Sequence, residues 1–319
     1  MARVLITGGT GFIGSHLVRD CLSRGDEVTV LTRPGSDPWR LADVLDRIAL
    51  VHVRPLDARE TASAVLRASP ERVFHLAALT RVPARDDLSD LDDAITGNVQ
   101  PLRVLLDALR RLDRQPLAFV RAGTLAELGE RDRILDPDEA EAPRDAYGLS
   151  ALMGTHLLRL ARARMDLPAV TARLCLTYGG DQSPDFLIPD LIRKGLTGIP
   201  AHVRRPLAQR DLIHVSDCVA ALQAVAGHAA SLPPVVAVST GRPLPMGQVA
   251  GMIAALIDGD GTPSLRPSVP PDAAHVVSCR PSAELSALGW QPRTGLAQGL
   301  RRTIEWERSR NIPLQEQSA

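Results

Sequence analysis

The sequence predicts an α/β fold, a doubly wound parallel sheet followed by a smaller lobe, and three observations carry that expectation. Short apolar runs alternate with segments of helical periodicity through the first half of the 319-residue chain. Buried runs separated by helices call for parallel pairing with both sheet faces covered. A glycine-rich turn, Gly8-Gly9-Thr10-Gly11-Phe12-Ile13-Gly14, joins the first run to the first helix, and after Cys175 the alternation gives way to turns rich in Gly and Pro.

Taken in order, Val4 to Thr7 reads as a strand and Ile13 to Arg24 as an amphipathic helix. Val28 to Thr32 and Ile48 to Val53 follow as strands, with a helical stretch between them. Val73 to Ala77, Leu117 to Ala122 and Ala169 to Cys175 continue the sheet, separated by helices near Thr61 to Ala68, Leu102 to Leu112 and Tyr147 to Ala163. Pro101 suits the first turn of its helix. A ligand is then expected beyond the carboxyl ends of the strands, where Gly8, Thr32, Asp57, Ala77 and Thr124 fall. We expect residues 1–176 to form a dinucleotide-binding domain and 177–319 a mainly substrate-binding lobe, with about 206–240 returning to the first domain. The turn-rich stretch Pro263 to Pro271 belongs to that lobe, and Gln315 to Ala319 is expected to fray.

Composition narrows the partners. A 45% hydrophobic chain of this length can bury a large core. The formal net charge is zero and no long run of Lys or Arg is present, which favours a small molecule over nucleic acid. Cys21, Cys175, Cys218 and Cys279 are scattered without metal-ligand spacing, so reduced thiols in a cytoplasmic protein and no metal are expected. No apolar run approaches the roughly 18 residues of a membrane span.

The glycine turn has a specific chemical use. A diphosphate is met by the first N–H groups of a helix and the positive end of its dipole, provided no side chain stands in the way. Gly8 and Gly11 permit the tight turn and the approach of the phosphates, flanked by Phe12 and Ile13, while Gly14 lets the helix pack on the strand. Together with Tyr147-Gly148-Leu149-Ser150-Ala151, this turn resembles the extended short-chain dehydrogenase/reductase superfamily, specifically the NAD-dependent epimerase/dehydratase family. The resemblance extends over almost the whole chain, including the tail Leu288-Gly289-Trp290-Gln291-Pro292. It implies a Rossmann-like domain, an oxidoreductase, a nucleotide-sugar substrate and a homodimer.

By that resemblance Tyr147 is the proton donor or acceptor, and Thr124, five residues before Gly129, orients the carbonyl. Leu76, Ala77 and Ala78 after His75 lie beside the cofactor, and Asn98 opens a long helix at the active site. Asp57 either contacts adenine or caps the helix that follows it. Arg210 resembles the arginine that reaches a nucleotide diphosphate, with a salt bridge to Asp211 or Asp217 as the alternative, and Arg81 could add a second substrate contact. Leu176 stands where an asparagine often touches the sugar nucleotide. At the end of the second strand Thr32-Arg33 offers no carboxylate, and a guanidinium suits a 2′-phosphate, so NADP is expected over NAD.

One departure matters. The family carries a lysine four residues after its tyrosine, whereas this chain has Ala151 there and a single lysine, Lys194. An unperturbed phenol has a pKa near 10, so only about one in a thousand is ionised at pH 7. Strand alternation puts Arg121 on the face opposite Thr124, which argues against it as a substitute; His156 lies off the helical stripe, and Arg144 before the helix is the remaining candidate. Reduction of a ketone uses the neutral phenol, so a ketoreductase acting on a nucleotide-linked deoxysugar is the first expectation. An epimerase or dehydratase is the second, and a cofactor-binding protein with degenerate chemistry the third.

Overall fold

The computed structural model describes residues 1–258 and 275–310, so the expected turn-rich stretch 263–271 and the frayed tail 315–319 lie outside the described residues. In chain order the elements begin with β1 (Arg3–Thr7), α1 (Phe12–Ser23), β2 (Glu27–Thr32), β3 (Ala49–His52), α2 (Ala58–Ala68) and β4 (Arg72–His75). They continue with α3 (Ser89–Ala94), α4 (Gln100–Leu109), β5 (Ala118–Thr124), α5 (Ala146–Met165), β6 (Ala169–Leu174), β7 (Leu176–Tyr178), α6 (Leu187–Leu196), β8 (Gln209–Arg210) and β9 (Leu212–His214). The last are α7 (Val215–Gly227), β10 (Val235–Val238), β11 (Leu244–Pro245), α8 (Met246–Asp258), β12 (Val276–Val277), α9 (Ala283–Ala287) and α10 (Leu296–Ser309).

Seven strands form one sheet in the order β10-β6-β5-β4-β1-β2-β3, and every pairing is parallel. Chain order runs outward in both directions from β1, which opens a crevice at the carboxyl ends of β1 and β4. Alternation along the strands assigns the two faces. Val4 and Ile6 of β1 join Leu17, Val18 and Cys21 of α1 and Cys218 and Leu222 of α7 in one core. Leu5, between them, joins Val65 of α2, Leu105 and Leu109 of α4, Phe119 of β5 and Leu158 of α5 in the other. A third core unites α6, α8 and α10 through Leu191, Val249, Ile253 and Leu300.

Three differences from the sequence reading have local causes. The stretch between β2 and β3 forms two single 3₁₀ turns, Trp39–Leu41 and Leu45–Arg47, rather than a helix, because Pro34, Gly35 and Pro38 interrupt it. Asn98 does not open a helix: α3 runs through a π-helical turn, Ile95–Val99, into α4. The seventh strand, β10, directly follows Pro233-Pro234, yet it pairs with β6, and the Pro234 carbonyl accepts from the Thr171 N–H at 2.9 Å.

Phe119 is fully buried in the α5 face of the sheet. Phe119→Ala is expected to lower the free energy of unfolding by about 3–5 kcal/mol in a urea titration, and an unchanged midpoint would contradict this packing.

Candidate active site

At the carboxyl end of β1 the backbone turns through Gly8, whose φ of +73° belongs to the left-handed region. A Cβ there would stand 2.6 Å from the Ala77 nitrogen, so the glycine turn lies backbone to backbone against the loop after β4. A Cβ on Gly14 would collide with the Gly8 carbonyl, and one on Gly11 would sit 3.1 Å from the same oxygen. Gly11 is the N-cap of α1 and no side chain caps it. The N–H groups of Phe12, Ile13 and Gly14 therefore lack intrahelical acceptors. These features fit a diphosphate: exposed donors, a helix dipole and no side chain in the approach.

The loop after β4 completes this wall. Thr7 Oγ1 lies 2.8 Å from His75 Nδ1, and the Ala77 N–H reaches Thr7 Oγ1 at 3.4 Å. Burial pushes His75 down to about 3, with the Arg121 charge adding to the effect, so it is a neutral structural imidazole. Leu76 and Ala77 are partly buried, and Ala78 is exposed. Asn98 is buried and clamps the loop: Oδ1 accepts from the Leu79 N–H at 2.6 Å, while Nδ2 donates to the Leu79 carbonyl and to Ser150 Oγ on α5.

On the adenosine side Arg33 lies exposed in the loop after β2. Asp57 is the N-cap of α2, accepting from the N–H groups of Arg59 and Glu60 at 3.0 Å, and these bonds hold its carboxyl below the usual range. Its second oxygen meets Arg54 at 2.8 Å.

Tyr147 is in the first turn of α5, whose N-cap Asp145 accepts from the Gly148 N–H. Its phenol faces the Thr124 hydroxyl, and burial pushes it above the ordinary tyrosine value, with Thr124 and the Arg121 charge acting the other way. Thr124 ends β5, and its Oγ1 accepts from the Ala126 N–H at 3.2 Å. That satisfies the backbone but leaves the hydroxyl proton free to donate.

Behind this pair lies a buried charge network that sequence reasoning missed. Glu127 has no exposed surface; its Oε2 accepts from Arg173 Nε at 2.9 Å and Thr155 Oγ1 at 2.7 Å. Its Oε1 accepts from the Thr124 N–H at 3.1 Å and faces Arg121 Nη1 at 3.7 Å. Arg121 in turn donates to the Ala151 carbonyl at 2.9 Å and to Thr155 Oγ1 at 3.1 Å. Arg121 lies on the face opposite Thr124, but α5 covers that face, so the guanidinium lies under the Tyr147 helix. Arg144 is exposed at the edge of this region and takes no part. The available signal was a charged residue inside the apolar strands Phe119-Val120-Arg121 and Ala172-Arg173-Leu174, since buried charges require partners.

On the substrate side Arg210 pairs with neither Asp211 nor Asp217. Its Nη2 donates to Glu130 Oε1 at 2.7 Å and its Nη1 to the His275 carbonyl. Asp211 instead accepts from Thr240, Gly241 and Ser278, and Asp217 from the Thr294 N–H. Arg81 is exposed and holds Asp185 at 2.9 Å. Leu176 is 38% exposed.

Comparison with known proteins agrees with this architecture. The model of the NAD dependent epimerase/dehydratase family matches residues 4–238. The dTDP-glucose 4,6-dehydratase of Neisseria gonorrhoeae is 28% identical over 346 residues, spanning 95% of this chain and 95% of its own length. The low-salt glycan biosynthesis protein Agl12 of Haloferax volcanii is 28% identical over 315 residues, covering 95% and 97%. The crystal structure of Thermus thermophilus UDP-glucose 4-epimerase in complex with NAD has a TM-score of 0.81 at 25% identity, covering 96% of this chain and 98% of that one.

Gly14→Ala is expected to weaken dinucleotide binding by at least about tenfold in calorimetry, because the new methyl must displace the Gly8 carbonyl. Glu127→Gln leaves Arg121 and Arg173 without their shared counter-charge and is expected to cost about 3 kcal/mol of stability by denaturant unfolding.

Proposed function

We infer, from the premise that the chain belongs to the NAD dependent epimerase/dehydratase family, that it reduces a keto group on a nucleotide-linked deoxysugar. The observation that carries this reading is a phenol kept protonated by burial beside a free hydroxyl donor, Tyr147 beside Thr124. A bound nicotinamide cofactor supplies the hydride. Tyr147 gives its proton to the carbonyl oxygen as that oxygen gains charge, and Thr124 donates a hydrogen bond to the same atom. Elimination of water would need a further acid and base. The segment after Thr124 offers only Leu125, Ala126 and the fully committed Glu127, which argues against the dehydratase reaction named for the Neisseria relative.

Cofactor contacts are assigned to Gly8, Gly11, Phe12, Ile13, Gly14, Asp57, Leu76, Ala77, Ala78, Asn98 and Tyr147. Arg33 favours NADP, since it is exposed beside Thr32 with no carboxylate at the strand end to repel a 2′-phosphate. NAD, which the Thermus protein holds, is the alternative. Arg210 and Arg81 are assigned to the substrate diphosphate, exchanging Glu130 and Asp185 for it. The substrate lobe is assigned to the region around α6, α8 and α10. Exposed Leu149 and Leu160 on α5 support a homodimer through α4 and α5, and four unpaired thiols suit the cytoplasm. Among the described residues no helix is long and apolar enough to cross a membrane.

A second reading, epimerisation, draws on the name of the Thermus relative. The test follows NADPH and NADH absorbance with 4-keto nucleotide sugars. Net oxidation is expected, with Tyr147→Phe losing about 10²–10⁴ in kcat while still binding cofactor. Interconversion of sugar isomers without net oxidation would establish the epimerase reading instead. Cofactor binding with no turnover of either kind would leave a protein of degenerate chemistry.

A further inference from the structure

A phenol that gives up its proton needs a positive charge to receive the anion left behind, and a helix bearing Ala151 supplies none from its own next turn. The geometry points to Arg121, reaching α5 from strand β5, as the cation that holds the Tyr147 phenolate, a positioning residue acting through the tyrosine. This deepens the reading of Tyr147 as the proton-transfer group and rests on it.

The placement is built rather than incidental. Arg121 Nη2 donates to the Ala151 carbonyl at 2.9 Å, and residues 147 and 151 stack one turn apart on the helix. Its Nη1 is fixed by Thr155 at 3.1 Å. Gly154 makes the room, since a Cβ there would lie 2.6 Å from Nη2. Arg121 is 5% exposed, so water screens its charge little. Two acidic groups act on the phenol in the opposite sense, Glu127 from the turn after β5 and Asp145 from the start of α5. Around Arg121 itself stand Glu127, Arg173 from β6 and the neutral His75 from β4. Of the two guanidiniums near Glu127, Arg121 also bonds the backbone of α5, whereas Arg173 turns to Glu141.

In the reduction, the O–H bond of Tyr147 breaks as the proton passes to the carbonyl oxygen, and the electron pair remains on the phenolate oxygen. The carbonyl carbon accepts the hydride, and the phenolate is reprotonated from solvent. Arg121 itself exchanges no proton.

The chain has two tyrosines, and the second, Tyr178, is 1% exposed and pushed far up by burial. Tyrosinate absorption of the full-length protein therefore reports Tyr147 alone, with Tyr147→Phe as the blank, and needs neither substrate nor cofactor. It stands whether or not the proposed reduction does. In wild type a midpoint above the free-tyrosine value of about 10 is expected, since burial outweighs the charge of Arg121. Arg121→Gln is expected to raise it by about one to three pH units, and Arg121→Lys to restore most of the shift. Should Arg121→Gln fail to fold, Gly154→Ala removes no charge and displaces the guanidinium, so it should raise the midpoint as well. A folded Arg121→Gln or Gly154→Ala protein with the wild-type midpoint overturns the inference.

Discussion

The open end of the sheet depends on one fully buried carboxylate. Glu127 meets Arg173 of β6, Thr155 of α5, the backbone of Thr124 at the end of β5 and, slightly further off, Arg121 of the same strand. Taking such charges out of water costs several kcal/mol each, so the group is stable only when complete. Completeness then becomes a geometric constraint. Because the carboxylate is shared, the two strand ends and the tyrosine helix cannot shift independently, and Thr124 and Tyr147 are held in register by atoms that touch no ligand.

The cofactor wall is held differently, by contact between backbones. Gly8 leaves no space between its Cα and the Ala77 nitrogen, and Asn98 fastens the same loop to α5 through Leu79 and Ser150. The substrate side is looser. Its two arginines are engaged with Asp185 and Glu130, and a ligand must replace those partners. An exposed pair such as Arg81–Asp185 is worth little and exchanges readily, whereas the half-buried Arg210 gives up a 2.7 Å bond from a less solvated position.

The sheet and its glycine turn were legible because period and punctuation are local properties. Val4 to Thr7, the helix after Gly11 and the strand read as Leu117 to Ala122 all follow from alternation and from Gly positions. What stayed hidden depends on partners distant in sequence. Glu130 is 80 residues from Arg210, and the acid that neutralises Arg173 lies in the turn after another strand. For Arg121 the alternation itself was sound: it shares a face with Phe119, opposite Val120. Missing was the knowledge that α5 covers that very face, which only the assembled sheet supplies. The strand after Pro233-Pro234 was obscured by residues that read as a turn, although a proline carbonyl can still accept a ladder bond.

The glycine at 154 also constrains which sequences can descend from this one. With the guanidinium pressed against the main chain at 151, a lysine introduced there would bring a second like charge into a space already occupied. Losing Arg121 first would leave Glu127 with Arg173 as its one cationic partner. Changes at 121, 151 and 154 touch one another and are therefore coupled rather than additive in their effect on stability.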